Sequence, residues 1–506
     1  MTTLLIHSAN ILTLAPNNPT ADAVLIGAEQ ILAVGQAEAI QQQYAGQIDQ
    51  FLDAHGATIL PGFIDAHIHL GITALGLLAV DLDGCDSIPA LLRKIHAASL
   101  DLPEQALMVA INFQPELNSQ NRWPSLEELD QAGRGHPIYL MERTGHISLV
   151  NSAAGNLTNP PLPAGILRGH ENSTAFTQLW DLFSRQANLP HALTQATQAA
   201  ARNGVTTLHA LDDLDVVKVI LAEADHLPVH IVAYTQSKDV SAVQALGLRQ
   251  IGGCGSVMVD GDFSPHTAAL LDPYLDDPTT AGILYYSDQE LDDYVLAAHR
   301  AGLQVALHCV GSAAIEQLLN AYERALTAFP RSDHRHRIEH FELPAPGQKE
   351  RALNLGVCLS MQPAFNHYWP HTEEYPQIVG EARAALVDPL ASLHAAGLPI
   401  ALGSDSPVTP VAPLLWLQSA VTHSNPSERV TVLDALRMAT TGGSYAAFEE
   451  GQKGTLEPGK LADLVFLSAS PADVAADQIS TIQVLKTMVA GRFVYEHQPE
   501  GEPCDR

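Results

Sequence analysis

A chain of 506 residues, 46% hydrophobic and only 16% charged, can bury a large core, which excludes a disordered chain and makes one big domain plus a smaller one the expectation. The formal net charge of −30 repels nucleic acid and anionic membrane surfaces. Five dispersed cysteines (Cys85, Cys254, Cys309, Cys358 and Cys504) form no Cys-x-x-Cys pair, which argues against a thiolate zinc site or a disulfide scaffold and for reduced, buried thiols.

Residues 1 to about 58 read as short strands, at Leu4 to Ile6, Ile11 to Leu14, Val24 to Gly27 and Ile31 to Val34, broken by Asn, Pro and Gly. The start, Met1-Thr2-Thr3-Leu4, carries no basic leader, and no apolar run is long enough to span a bilayer, so a cytoplasmic protein is expected. Next comes Leu60-Pro61-Gly62-Phe63-Ile64-Asp65-Ala66-His67-Ile68-His69-Leu70. Residues two apart in a strand face the same side, so His67 and His69 can present both imidazoles to one metal ion.

Beyond this run, apolar strands alternate with helical segments, a pattern for parallel strands with helical crossovers. Eight strands are expected, centred on Ile64 to His69, Val205 to His209, His230 to Tyr234, Val257 to Asp260, Val305 to His308, Arg337 to His340, Cys358 to Gln362 and Ile400 to Asp405. Eight such units make a TIM barrel, whose chemistry lies at the C-terminal strand ends. More than a hundred residues separate the first two strands, and they hold strands of their own at Leu107 to Phe113 and Pro137 to Glu142. Roughly 75–195 is therefore read as a subdomain inserted over the barrel mouth.

His308, His340 and Asp405 each end an apolar strand. Either histidine alone could be a core residue bonded to backbone; beside His67 and His69 they read as ligands. A carboxylate there is costly unless paired or bound to a cation, although Asp405 could also cap a helix begun by Ser406-Pro407. The chain closes with Gly454-Thr455-Leu456-Glu457-Pro458-Gly459-Lys460-Leu461-Ala462-Asp463-Leu464, leading into strands near Leu464 to Leu467, Ile482 to Ala490 and Phe493 to Tyr495. There is no phosphate-binding Gly-x-x-x-x-Gly-Lys-Ser/Thr loop, no Gly-x-Gly-x-x-Gly after the first strand and no Gly-x-Ser-x-Gly elbow.

The His-x-His strand and the Gly-x-Leu-x-Pro-Gly-Lys-x-Ala-Asp-Leu segment resemble the amidohydrolase superfamily, in its amidohydrolase 3, YtcJ-like branch, which includes N-substituted formamide deformylases. The resemblance covers nearly the whole chain. It implies a TIM barrel over 59–453, with the insertion at 75–195, beside a small β-sandwich built from 1–58 and 454–506. It implies His67, His69, His308, His340 and Asp405 as metal ligands, Asp405 also as general base and His340 as part of the catalytic set. His146, in Arg143-Thr144-Gly145-His146, would bond the substrate carbonyl or merely order its loop. Gln362 and Asn366 would shape the substrate pocket, as would His266, which stands where the family has arginine. Trp123, Tyr139, Phe365 and Trp369 would wall the pocket or belong to the core.

Two further departures matter. Ser256 stands where binuclear members carry a bridging lysine, so one Zn2+ is favoured over two unless Asp260 or Asp262 bridges; Ser312 replaces a usual aspartate. The implied reaction is hydrolysis of an amide, N-acyl or N-formyl C–N bond in a small molecule, by an enzyme that is homodimeric in the family pattern. Alternatives are a deaminase, a lactone or carbamate hydrolase, or a non-catalytic binding barrel. Deaminases carry His-x-x-Glu at the fifth strand, whereas His308 is followed by Cys309, Val310 and Gly311.

Overall fold

Eight parallel strands, each hydrogen-bonded to its sequence neighbour, form the centre of the chain in a computed structural model that describes residues 2–498 except 116, 117, 144, 146 and 371–374. They are Phe63–Ile68, Val205–Asp213, His230–Gln236, Gln250–Gly253, Gln304–Cys309, Arg337–His340, Cys358–Met361 and Ile400–Leu402. The last returns to the first through a bridge between Ile68 and Ser406, with Asp405 N donating to His67 O at 2.7 Å and His69 N to Ser406 O at 3.0 Å. The sheet is thus nearly closed, and its strand ends converge.

Seven of these strands lie where the apolar pattern puts them. The fourth does not: it is Gln250–Gly253, and Val257 to Asp260 follows it, after a 3₁₀ turn at Gly255–Val257. Glycine explains the shift. Gly252 pairs with Ala306 in the left-handed region (φ 105°), and a Cβ there would lie 1.9 Å from Ala306 O. Gly252, a residue type that usually punctuates a chain, is here what lets two strands approach.

The chain divides into two compact units, residues 1–69 with 197–506, and residues 70–196. In the first, the chain ends build two small sheets. One orders Gln30–Gly35, Ala23–Gly27, Thr3–His7 and Gln50–Asp53; the other orders Arg492–Glu496, Val484–Val489, Leu464–Leu467, Thr58–Pro61, Asn10–Leu12 and Thr20–Ala21. Ile6, Val24 and Ile31 of one share a buried cluster with Ile59, Leu464 and Phe466 of the other. The second unit has its own five-stranded sheet and a core in which Leu91, Ile95, Met108, Leu129 and Leu140 meet. Tyr139 is fully buried there, and Trp123 packs on Phe113 at 4.9 Å between ring centroids. Among the described residues no helix is long and apolar enough to cross a membrane.

At the N-terminal side of the fifth and sixth strands, three buried histidines form a chain of hydrogen bonds. His336 Nε2 donates to His299 Nδ1 at 2.9 Å, and His299 Nε2 donates to Phe329 O at 2.6 Å. Val305 N donates to His336 Nδ1 at 3.0 Å, His336 N to His334 Nδ1 at 2.9 Å, and His334 Nε2 to Leu355 O at 2.7 Å. Each ring has one donor and one acceptor in use, so each is neutral, and burial holds all three below the usual imidazole range. A histidine whose folded pKa is depressed binds its proton first in the unfolded chain, so this contribution is complete above about 6.5 and is lost as pH falls below it. The part of any drop in the thermal unfolding midpoint between about pH 7.5 and about pH 5.5 that comes from these rings is expected to be smaller in His299→Gln than in the parent chain. A drop of equal size in that variant would contradict the assignment.

Candidate metal centre

The strand ends deliver six side chains to one place. His67 and His69 come from the first strand, Cys254 from just past the fourth, His308 from the fifth, His340 from the sixth and Asp405 from just past the eighth. Cys254 Sγ lies 3.4 Å from His67 Nε2, 3.5 Å from His308 Nδ1 and 3.3 Å from His340 Nε2. Asp405 Oδ1 lies 3.1 Å from His67 Nε2 and 3.2 Å from His69 Nε2. Three sets of donors lie close enough to share an ion, each set within 4.8 Å: His67, His69 and Cys254; Cys254, His308 and His340; His67, His340 and Asp405. His340 (φ 72°) and Asp405 (φ 54°) take left-handed backbone at their strand ends, a strained conformation that turns both side chains inward.

The outer nitrogens decide what faces inward. His67 Nδ1 donates to Glu339 Oε2 at 2.8 Å, His69 Nδ1 to Leu211 O at 2.9 Å, His340 Nδ1 to Gln362 Oε1 at 2.8 Å and His308 Nε2 to Gly261 O at 3.1 Å. The nearest partner of each is an oxygen that can only accept; Gln236 Nε2 also lies 3.3 Å from His69 Nδ1 but donates more closely to Leu211 O, at 2.8 Å. The four inward nitrogens are thereby left with lone pairs aimed at a thiol and a carboxylate. Asp405 Oδ1, though buried among them, accepts no hydrogen bond. Lone pairs facing lone pairs repel unless a cation stands between them. Imidazole, thiolate and carboxylate donors fit a borderline divalent ion.

The electrostatics express the same need. Burial opposes charge on each group, yet attraction between them outweighs it. Beside Cys254 and Asp405, His67 is pushed well above the usual imidazole range and His69 up to about 10, and beside Cys254 His308 rises to about 9. The surrounding histidines hold the Cys254 thiol and the Asp405 carboxyl well below their usual ranges. Protons taken up at the inward nitrogens of His67, His69 and His308 would stand in the place of a cation and be displaced by one.

His67, His69, His308, His340 and Asp405 come together from four strands. Cys254 joins them and was missed, because the absence of a Cys-x-x-Cys pair was read against a thiolate ligand. The reasoning that rested on Ser256 also changes. Its backbone lies in the turn Gly255–Val257, and the residue just past the end of the fourth strand is Cys254.

Asp260 is not in the three donor sets. Its carboxylate accepts from Val310 N at 3.0 Å and from Gly311 N and Ala269 N at 2.8 Å each, and burial pushes it up to about 6. Asp262 Oδ1 accepts from Phe263 N at 2.6 Å, and Ser312 Oγ accepts from Leu271 N at 3.1 Å. These residues shape the loop that follows the fourth strand.

Gln362 stands behind His340 and fixes its ring. Asn366 is tied to Ser424, with Nδ2 donating to Oγ at 2.9 Å and Oδ1 accepting from Ser424 N at 2.7 Å. His266 pairs with Asp276 at 2.9 Å and packs on Tyr274 at 4.5 Å between ring centroids. Phe365 stacks on His340 at 5.9 Å and meets Trp369 edge-on at 5.8 Å. His146 lies outside the described residues.

Residues 50–495 match the model of the amidohydrolase family. The chain belongs to that family. It is 27% identical to the putative amidohydrolase YtcJ of Bacillus subtilis, over 97% of this chain and 99% of that one. It is 28% identical to the N-substituted formamide deformylase of Arthrobacter pascens, over 98% and 99% respectively. It is similar to the crystal structure of an uncharacterized metal-dependent hydrolase from Pyrococcus furiosus, with a TM-score of 0.77, 25% identity and coverage of 93% of this chain and 100% of that one.

This amidohydrolase closes its barrel tightly against the metal-type residues. A Cβ on Gly403 would lie 2.7 Å from both Cβ and backbone N of His67, with no flexible side chain to move aside. Gly403→Ala is expected to destabilise the fold by about 1–3 kcal/mol, as overpacking does, read from denaturant unfolding. A variant as stable as the parent would show that the eighth strand can shift away from His67.

Proposed function

We propose that this amidohydrolase is a metal-dependent hydrolase of a C–N bond in an amide, N-acyl or N-formyl small molecule. One observation carries the metal reading: four histidines donate outward to acceptor-only oxygens while their other nitrogens converge on Cys254 and Asp405. Zinc suits such mixed imidazole, thiolate and carboxylate donors. Cys254 is common to the His67–His69 set and the His308–His340 set, so its thiolate is placed to serve two ions. Ser256 lies in the turn past the fourth strand and does not decide between one ion and two.

A divalent ion bound there supplies Lewis acidity toward a carbonyl and toward water. The chain supplies the proton path. Asp405 lies beside His67 and His69, and its carboxylate stays ionised. It accepts the proton of the attacking water and returns it to the departing nitrogen. Gln362 and Leu211 O keep the rings of His340 and His69 from turning. The Phe365–Trp369 pair beside His340 offers an apolar face for an N-substituent.

The amide preference is supported by the similarity to an N-substituted formamide deformylase along nearly the full length of both chains. The paired chain-end sheets are read as the β-sandwich of the family, and 75–195 as its insertion. After His308, Cys309 turns its thiol to Ala314 O and no acid follows, which disfavours ring deamination.

The reading is tested by presenting zinc-loaded protein with N-formyl and N-acyl amides, ring amines and lactones. Amide hydrolysis is expected, abolished by a chelator and restored by zinc, and lowered about 10²–10⁴-fold in Asp405→Asn. Turnover of lactones or ring amines with amides untouched would contradict the C–N amide assignment. Amide turnover unaffected by metal removal would contradict the metal.

A further inference from the structure

Beneath the metal-type residues, the barrel interior holds a charged pair where aliphatic side chains usually pack. Arg337 and Glu339 stand two apart on the sixth strand, so both face the interior, and both are fully buried. Arg337 Nη2 donates to Glu339 Oε2 at 2.7 Å, and Nε donates to Oε1 at 2.9 Å. The same Oε2 accepts from His67 Nδ1 at 2.8 Å.

The guanidinium is held on its other sides as well. Nη2 donates to Ala66 O at 2.7 Å, and Nη1 donates to His209 Nδ1 at 3.1 Å. Its carbon lies over the Tyr234 ring, 4.5 Å from the centroid, and Tyr234 Oη donates to Gln304 Oε1 at 2.9 Å. Five strands therefore contribute to one buried chain that ends on a single metal-type histidine.

Taking an Arg–Glu pair out of water costs more than packing apolar side chains of the same volume. Stability alone does not account for it. Its geometry does something an apolar core cannot. A bidentate guanidinium fixes the plane of the Glu339 carboxylate, and that carboxylate fixes the plane and tautomer of the His67 ring. An anionic partner on Nδ1 also makes the inward Nε2 a stronger donor, and Arg337 limits how much of that charge reaches the ring.

We propose that Arg337 and Glu339 are positioning residues that set the orientation and donor strength of His67, with His209 and Tyr234 locating the guanidinium. The proposal rests on the metal reading given above.

The double variant Arg337→Met/Glu339→Gln removes both charges while keeping side-chain volume and an oxygen near His67, and so leaves no uncompensated ion. Zinc affinity is measured by competition with a coloured chelator, and geometry by the visible bands of the Co(II)-substituted protein. The folded double variant is expected to bind zinc about 10–100-fold more weakly than wild type and to show shifted Co(II) bands. Unchanged affinity and bands in the folded variant would overturn the proposal.

Should the double variant not fold, the wild-type protein decides. Loaded with zinc and labelled with 15N-histidine, it is expected to show a slowly exchanging, strongly deshielded Nδ1–H resonance from an imidazole–carboxylate pair. Its absence would overturn the proposal whatever the variants do. If wild type itself takes up no zinc, the metal reading fails first, and the two failures are thereby told apart.

Discussion

Four imidazole lone pairs, a thiol and a carboxylate cannot share a buried space without positive charge between them. The rest of the structure follows from that constraint. The barrel brings the six side chains from strands that are far apart in sequence. Closure between the first and eighth strands, through Asp405 N to His67 O, fixes two of them against each other. Asp65 reinforces the closure: its carboxylate accepts from Ser404 N at 2.9 Å and Ser404 Oγ at 2.6 Å, and burial pushes it up to about 7. The outer nitrogen of each histidine is then occupied by an acceptor, so no ring is free to turn its lone pair away.

Much of this was legible in the sequence, for physical reasons. A His-x-His at the end of an apolar run has only one side to face in a strand. His308, His340 and Asp405 each end a run of the same kind, and polar residues at such ends are where a parallel barrel keeps its chemistry. Seven of eight barrel strands were recoverable because buried parallel strands read as continuous apolar runs.

The rest was hidden for equally physical reasons. In Gly252-Gly253-Cys254-Gly255 the glycines read as punctuation, while Val257-Met258-Val259 reads as a strand. The real strand uses Gly252 to approach Ala306 at a distance no side chain allows. Moving the fourth strand exchanges the rim residue from Ser256 to Cys254. A search for cysteine pairs also misses a thiol whose partners are histidines on other strands. Nor does a sequence say which way a rim side chain turns. Gln362 turns to His340 and Asn366 to Ser424. His266 turns to Asp276.

In the proposed function Cys254 stands inside a metal centre made with five other side chains. X-ray absorption at the zinc edge of the loaded wild-type protein tests it most directly. A sulfur scatterer is expected at about 2.3 Å together with nitrogen and oxygen scatterers at about 2.0–2.2 Å. A shell of nitrogen and oxygen alone would contradict it.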